Sequence, residues 1–451
     1  MFFSHIKYLF STKDKRNMML RKNILFSAIL KVIGLCSSLL IVPITLEYLS
    51  SEVYGIWLTM SSVLYWFAFF DVGLGNGMRN YLTGAISVKD YNAAKSIIST
   101  TFILLFIIAL LLGTVVTVLL YVLDLNEVFN TSLVSGGLLR ETMLVASAFT
   151  LLMFVVKNIG IIFVAMQKYA VNDLLLVSGN VLALLVVLLL TKYTADGNLF
   201  LVVLAFTATP VVVFFIAAAV LFFRNPMLRP SFKCINYKLA YKVVGKGLGF
   251  FLIQITSCIV IFGSSNLFIA QFCGQEKVTV YNIAYRFFNL LAIAYTIIIS
   301  PLWNAYTDAY VKGDMVWIRN TFNRALKIWL FTVVVGFFML VVCGSFYKIW
   351  IGSAVDVPLS VSICVLLFVC SFNLNNCVTY LLNGLNKIRI QIITSLIFTL
   401  LFLMVMSIGG NKLKIESISI CMAISYFAMS LIHLYQCRKL IAKKAEGIWN
   451  K

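Results

Sequence analysis

Long apolar runs separated by short polar segments recur from one end of the chain to the other. The runs are continuous rather than alternating, so they suit helices crossing roughly 30 Å of hydrocarbon and not the short two-residue periodicity of a membrane β-barrel. Twelve spans are predicted, at about 23–42, 53–73, 96–123, 141–164, 172–190, 199–223, 247–270, 279–303, 325–346, 357–377, 388–408 and 415–436. The expected fold class is therefore an all-α polytopic membrane protein, with about 12 transmembrane helices in two six-helix bundles around a central cavity.

Composition agrees. Mean hydropathy is +1.00, 62% of residues are hydrophobic and 12% are charged. A soluble domain would carry about twice that charge. The net charge of +20 does not indicate a nucleic-acid partner, because most Lys and Arg fall in the termini and alternate loops, where the positive-inside rule puts them. Lys7, Lys13, Lys15, Arg16, Arg21 and Lys22 precede the first span, whereas 43–52 holds Glu47 and Glu52 and no base. Arg79, Lys89 and Lys95 lie in 74–95, six bases lie in 224–246, and Arg438, Lys439, Lys443, Lys444 and Lys451 end the chain. Both termini are thus expected on the cytoplasmic side, with the basic loops against anionic headgroups of the lipid bilayer. No cleavable signal peptide is evident, so the first apolar run is expected to stay in the protein. The expected domains are a cytoplasmic segment 1–22, an N-terminal bundle 23–223, a basic linker 224–246, a C-terminal bundle 247–436 and a basic tail 437–451.

The ten cysteines are scattered, mostly within apolar runs, and form no zinc or disulfide spacing. His5 and His433 stand alone, which favours structural roles, and no metal site is expected. Walker, HExxH and GxSxG signatures are missing from the sequence. Gly73-Leu74-Gly75-Asn76-Gly77 and Gly245-Lys246-Gly247-Leu248-Gly249 do not follow strands, so a dinucleotide site fails on context. The expectation is a non-enzymatic protein without cofactor, any transport being driven by a proton or sodium gradient, the membrane potential or the cargo gradient.

The two halves echo each other. At an offset of 224 residues Lys22 falls on Lys246, Glu52 on Glu276, Asn80 on Asn304, Thr83 on Thr307, Ala85 on Ala309 and Asp90 on Asp314. Lys95 falls on Arg319 and Trp57 on Tyr281. Polar coincidences are informative where polar residues are scarce, and six spans per half make this a parallel repeat. After the second span of each half, 81–98 and 306–322 mix polar and apolar residues and are predicted as amphipathic helices at the membrane surface.

The candidate chemistry lies in charges within spans. Lys31 sits eight residues into the first span, roughly 12 Å deep at the helical rise. A charge there costs at least ~3 kcal/mol unless it faces water or a partner, so Lys31 is expected to face the cavity. Arg286 and Lys157 lie about two turns from span ends and could line the cavity or snorkel. A Lys- and Arg-rich cavity suits an anionic group such as phosphate. Gln254, Asn266, Asn282 and Asn289 add hydrogen-bonding capacity, as do Asn373, Asn375 and Asn376, in part through helix–helix bonds. Trp57, Tyr65, Trp66, Tyr281, Tyr285 and Tyr295 are available to stack on sugars, or to anchor and pack. Asp71 is the lone intramembrane acid, expected to pair with Arg79 or to act in coupling or gating.

Phe70-Asp71-Val72-Gly73-Leu74-Gly75-Asn76-Gly77-Met78-Arg79-Asn80 resembles the D-x-G-L-G-N-G-x-R-N segment after the second helix in O-antigen and other polysaccharide flippases of the Wzx type. Glu52-Val53-Tyr54-Gly55-Ile56-Trp57 and Lys89-Asp90-Tyr91 are similar to that family too. The resemblance implies membership of the multidrug/oligosaccharidyl-lipid/polysaccharide (MOP) exporter superfamily and a MOP/MATE-like pair of bundles in a bacterial inner membrane. It implies that an undecaprenyl-pyrophosphate-linked oligosaccharide is moved from the cytoplasmic to the periplasmic leaflet by alternating access. A polysaccharide polymerase and a chain-length regulator are the partners it suggests. Lys31, Arg286, Lys157 and Arg79 would then meet the pyrophosphate. The alternatives are an ion-coupled multidrug exporter of the same superfamily and a membrane scaffold in polysaccharide assembly.

Overall fold

The computed structural model describes residues 15–71, 74–194, 196–236, 256 and 263–450. Most of these are helical, with no strand among the described residues. In chain order the helices of eight residues or more are α1 (Lys15–Leu49), α2 (Ser51–Tyr65), α3 (Leu74–Ser87), α4 (Tyr91–Val122), α5 (Gly136–Val156), α6 (Asn158–Ala165), α7 (Tyr169–Tyr193) and α8 (Leu199–Arg224). Then come α9 (Ser265–Cys273), α10 (Gln275–Ile299), α11 (Leu302–Val311), α12 (Met315–Ile351), α13 (Leu359–Gly384), α14 (Arg389–Gly409) and α15 (Ile415–Ile441). Ten helical segments among the described residues are long and apolar enough to cross a membrane. Two of the twelve expected spans are not among them. The 53–73 run forms the 15-residue α2 and a 3-10 turn at Trp66–Asp71, and most of 247–270 lies outside the described residues.

The chain divides into two compact units. The first comprises 1–49, 67–125 and 134–248; the second comprises 50–66, 126–133 and 249–451. By packing, α2 groups with the second unit. The cause is local packing. A Cβ on Gly55 would lie 2.0 Å from the Gln275 carbonyl oxygen, so only glycine lets α2 approach the start of α10 so closely. Thr59 Oγ1 donates to Gln275 Oε1 (3.0 Å), Thr279 Oγ1 donates to the Ser51 carbonyl (2.6 Å), and Asn266 Nδ2 donates to the Leu58 carbonyl (3.2 Å). Gln275 Nε2 donates to the Phe129 carbonyl, and Asn130 Nδ2 to the Ala270 carbonyl (3.1 Å). The segment 126–133 is thereby drawn into the same unit.

Each unit builds the same core. In the first, Leu82, Ala85, Ala94 and Ile98 pack with Ile159 and Ile162. In the second, Tyr306, Ala309, Ile318 and Phe322 pack with Val378 and Leu381. The first four pairs lie at the offset of 224 and the last two at 219. Backbone conformations repeat as well. Ser50 and Gly274 have φ of 71° and 91°, Lys89 and Gly313 have 59° and 74°, and Gln167 and Asn386 have 62° and 56°.

The same turns correct two expected helices. Neither 81–98 nor 306–322 is a single surface helix. Asp90 accepts from the Ala93 amide and Asp314 from the Trp317 amide, both at 2.9 Å. Each aspartate caps a new helix, and the positive-φ residue before it reverses the chain. The capped helices, α4 and α12, begin at equivalent positions and have only 11% of their most apolar window buried. Their exposed Phe, Leu and Val side chains suit contact with acyl chains, since lipid replaces water as the solvent there.

Two basic stretches expected as linker and tail are partly docked. The Ser231 and Asn236 amides donate to Ser99 and Thr100 hydroxyls on α4, both at 2.9 Å. Residues 438–441 continue α15, and Trp449 returns against Tyr435 at 5.1 Å between ring centroids. Lys439 lies over both rings and Lys387 Nζ donates to the Asn450 carbonyl (2.8 Å), a cation–π clamp that pins the last turn.

We expect Gly55→Val to cost ~1–3 kcal/mol through overpacking. Gln275→Leu should cost ~1–3 kcal/mol by leaving the Phe129 carbonyl without its donor. Gly84→Ala, where nothing lies within 4 Å of the added carbon, should be neutral or stabilising. Thermal unfolding of the purified protein checks all three; equal melting of the Gly55 and Gly84 variants would contradict the packing account.

Candidate functional site

The second unit holds a cavity of about 400 Å³ lined by Ser61, Ser62 and Tyr65 of α2, Gly263, Ser265 and Asn266 beside α9, and Tyr281, Asn282 and Tyr285 of α10. The docking of α2 creates it, because that helix supplies one wall. On α10, residues 282, 285, 286 and 289 are partly exposed while 283, 284, 287 and 288 are buried. The i, i+3, i+4, i+7 spacing places Asn282, Tyr285, Arg286 and Asn289 on one helical stripe.

Hydrogen bonds hold that stripe in place. Asn282 Nδ2 donates to Asn266 Oδ1 (2.8 Å) and to the Val278 carbonyl (2.8 Å). Tyr285 Oη donates to Asn289 Oδ1 (3.1 Å), and the Tyr281 and Tyr285 rings stack at 6.0 Å with planes 8° apart. Arg286 is half-buried and within electrostatic range of the buried Tyr54 hydroxyl. Amides, hydroxyls and ring faces together offer what a polyol needs, and the guanidinium adds a fixed positive charge.

Of the residues singled out from sequence, Asn266, Asn282, Asn289 and Arg286 thus come together, with Tyr65, Tyr281 and Tyr285. Gln254 lies outside the described residues. Asn373 and Asn375 are buried within α13, where they serve packing. Ser61, Ser62 and Ser265 escaped sequence reasoning. Serine is common in helices of any role, and the signal for these three is tertiary.

In the first unit Lys31 is exposed near the middle of the 35-residue α1, and Arg79 is exposed on α3. Asp71 has a different cationic neighbour from the expected Arg79. The Gly75 amide donates to Asp71 Oδ1 (3.2 Å), and the charged side chain in electrostatic range is Lys157. Lys157 sits at the break between α5 and α6, its ammonium 5.3 Å from the Phe154 ring centroid. Arg79 lies one turn beyond Gly75 on α3 and is exposed to the surroundings.

No protein-family model matches the chain. In sequence it is 23% identical over 282 residues to a Yersinia pseudotuberculosis protein named "Putative O-antigen export protein", a match covering 60% of this chain and 61% of that one. The aligned part is under two-thirds of that relative's length. In structure it superimposes on an inward-facing multidrug resistance MATE family transporter of the MOP superfamily, with a TM-score of 0.75, 17% identity, and 93% and 98% of the two chains covered. The outward-facing conformation of such a transporter gives 0.62 at 17% identity, covering 94% and 96%. A MOP superfamily transporter from Pyrococcus furiosus, whose binding pocket is described as of reverse polarity, gives 0.63 at 17%, covering 94% and 97%. The chain is a multi-pass helical membrane protein with the MOP-superfamily transporter fold. The resemblance seen in its 70–80 segment and the similarity to an O-antigen export protein point the same way.

Asn282→Leu should cost ~1–3 kcal/mol, because buried Asn266 Oδ1 loses its donor. The double change Asn266→Leu with Asn282→Leu should cost less than the sum of the singles, as expected for partners in one network. Strict additivity in melting measurements would remove the pairing.

Proposed function

We propose that the protein is a flippase for an undecaprenyl-pyrophosphate-linked oligosaccharide, carrying an O-antigen or related repeat unit from the cytoplasmic to the periplasmic leaflet by alternating access. The observation that carries this reading is the polar stripe of α10, where Arg286 stands among Asn282, Tyr285 and Asn289 beside a cavity lined by hydroxyls and amides. The similarity to an O-antigen export protein supports it. A sugar needs many neutral hydrogen-bond partners and ring faces, while a pyrophosphate needs a cation, and this stripe offers both. Lys31 and Arg286 are assigned to the anionic group, and Arg79 to its arrival at the cytoplasmic mouth. Lys157 serves the same end less directly, through its neighbour Asp71. The protein would sit in a bacterial inner membrane with both termini cytoplasmic, its tail close to whatever polymerase and chain-length regulator receive the flipped unit. The energy source would be an ion gradient.

Lys31→Ala and Arg286→Ala should each lower surface polysaccharide while the protein still inserts and accumulates. In proteoliposomes, transfer of a fluorescent lipid-pyrophosphate oligosaccharide should fall about tenfold or more, the value of one charge-assisted contact. Arg286→Lys should recover only part, because an ammonium cannot grip phosphate bidentately. Wild-type polymer levels in both alanine variants, or transport of cationic drugs in place of the lipid-linked sugar, would overturn the proposal.

A further inference from the structure

The two units share a core but differ at one point. Asp71 of the first unit corresponds to Tyr295 of the second at the offset of 224. Lys157 and Asn158 correspond to Asn376 and Cys377 at the offset of 219, which the Gln167 and Asn386 turns define. The matching positions lie near one another in both units. In the second, the Tyr295 hydroxyl donates to the Ala325 carbonyl (3.3 Å) and sits against the Cys377 thiol. In the first, Asp71 Oδ2 and Asn158 Oδ1 both lie against Gly75: a Cβ there would lie 3.2 Å from the one and 3.1 Å from the other. The fold therefore makes this junction with neutral groups once, and the charges of the other copy are not required by packing.

The remaining geometry indicates what the charges do. Asn158 is fully buried, and its Nδ2 donates to the Phe154 and Val155 carbonyls at 3.1 and 3.2 Å. Oδ1 lies on the Gly75 side, as Asp71 Oδ2 does, and among the described residues it has no hydrogen-bond partner. Two acceptor oxygens thus share the space over Gly75. A buried acceptor is normally satisfied, and a proton on Asp71 would satisfy this one. The charged group facing Asp71 from the α5–α6 break is Lys157, and from α3 it is met by the Gly75 amide.

We propose that Asp71 is a proton-exchange site peculiar to the first unit, with Lys157 stabilising its ionised form and Asn158 its protonated form. One proton from water binds a carboxylate oxygen; the new O–H donates to Asn158 Oδ1, the other oxygen keeps the Gly75 amide, and Lys157 stays charged. The site changes by one unit of charge without losing its backbone contact. This holds whatever the cargo is, and it gives the fold a place where a proton gradient can act.

The test reads the proton directly. Infrared difference spectra of the purified full-length protein in nanodiscs, titrated between about pH 4 and 9, should show a protonated-carboxyl band that Asp71→Asn removes and Asp90→Asn keeps. Lys157→Met should raise its midpoint by about one pH unit or more, since the carboxylate loses its cation. Asn158→Leu should lower it, since the protonated form loses its acceptor. Asp71→Tyr combined with Asn158→Cys, which copies the second unit, should fold and lack the band; this keeps the test valid if a single variant fails to fold. A band unaffected by Asp71→Asn, midpoints unmoved by Lys157→Met and Asn158→Leu, or a midpoint that follows sodium in place of choline would overturn the proposal. The last outcome would identify a sodium site. Transport of lipid-linked sugar plays no part in the readout, so failure of the flippase reading and failure of this one are separable.

Discussion

Gln275 ties together three stretches of chain that are far apart in sequence. Its backbone carbonyl lies under Gly55, its amide oxygen accepts from Thr59, and its amide nitrogen donates to the Phe129 carbonyl. Those contacts bring 50–66 and 126–133 into one unit with 249–451. In a bilayer an apolar helix gains little from leaving lipid for protein, so close backbone approach and interhelical hydrogen bonds decide which helices associate. The wall formed by Ser61, Ser62 and Tyr65 exists because α2 docks there.

The repeated core shows how a membrane fold can be built twice and specialised once. Leu82 and Tyr306, Ala94 and Ile318, and Ile98 and Phe322 occupy matching places, and aspartate caps start α4 and α12 alike. Against that shared frame the departures carry the functional content. The first unit keeps Asp71, Lys157 and Asn158 where the second has Tyr295, Asn376 and Cys377. The second unit has the Asn282–Asn289 stripe on α10. Its counterpart in the first half of the sequence, α2, ends after 15 residues and closes the cavity instead.

Burial and charge separate roles that composition merges. Asn373 and Asn375 read like Asn266 and Asn282 in the sequence, yet they are packed within α13. The basic residues likewise divide. Lys439 and Lys387 hold the last turn through two aromatic rings and the Asn450 carbonyl, whereas Arg79 and Lys31 remain exposed.

The hydrophobic pattern alone determined the class of protein, most of the helices and the existence of a repeat. Continuous apolar runs in lipid have a single backbone solution, the helix, and scarce polar residues make a repeat visible. The two cavity asparagines, and Asn289 and Arg286 on the same α10 stripe, were legible for the same reason, since polar groups within apolar runs are costly enough to stand out. Only the tertiary structure decided that α2 joins the second unit, that the polar segments 81–98 and 306–322 turn sharply at Lys89 and Gly313, and that Asp71 has Lys157 in electrostatic range and shares the Gly75 neighbourhood with Asn158. Those outcomes depend on a missing Cβ at Gly55, on caps that reverse the chain, and on approaches between residues more than 80 positions apart. One-dimensional periodicity holds no record of such approaches.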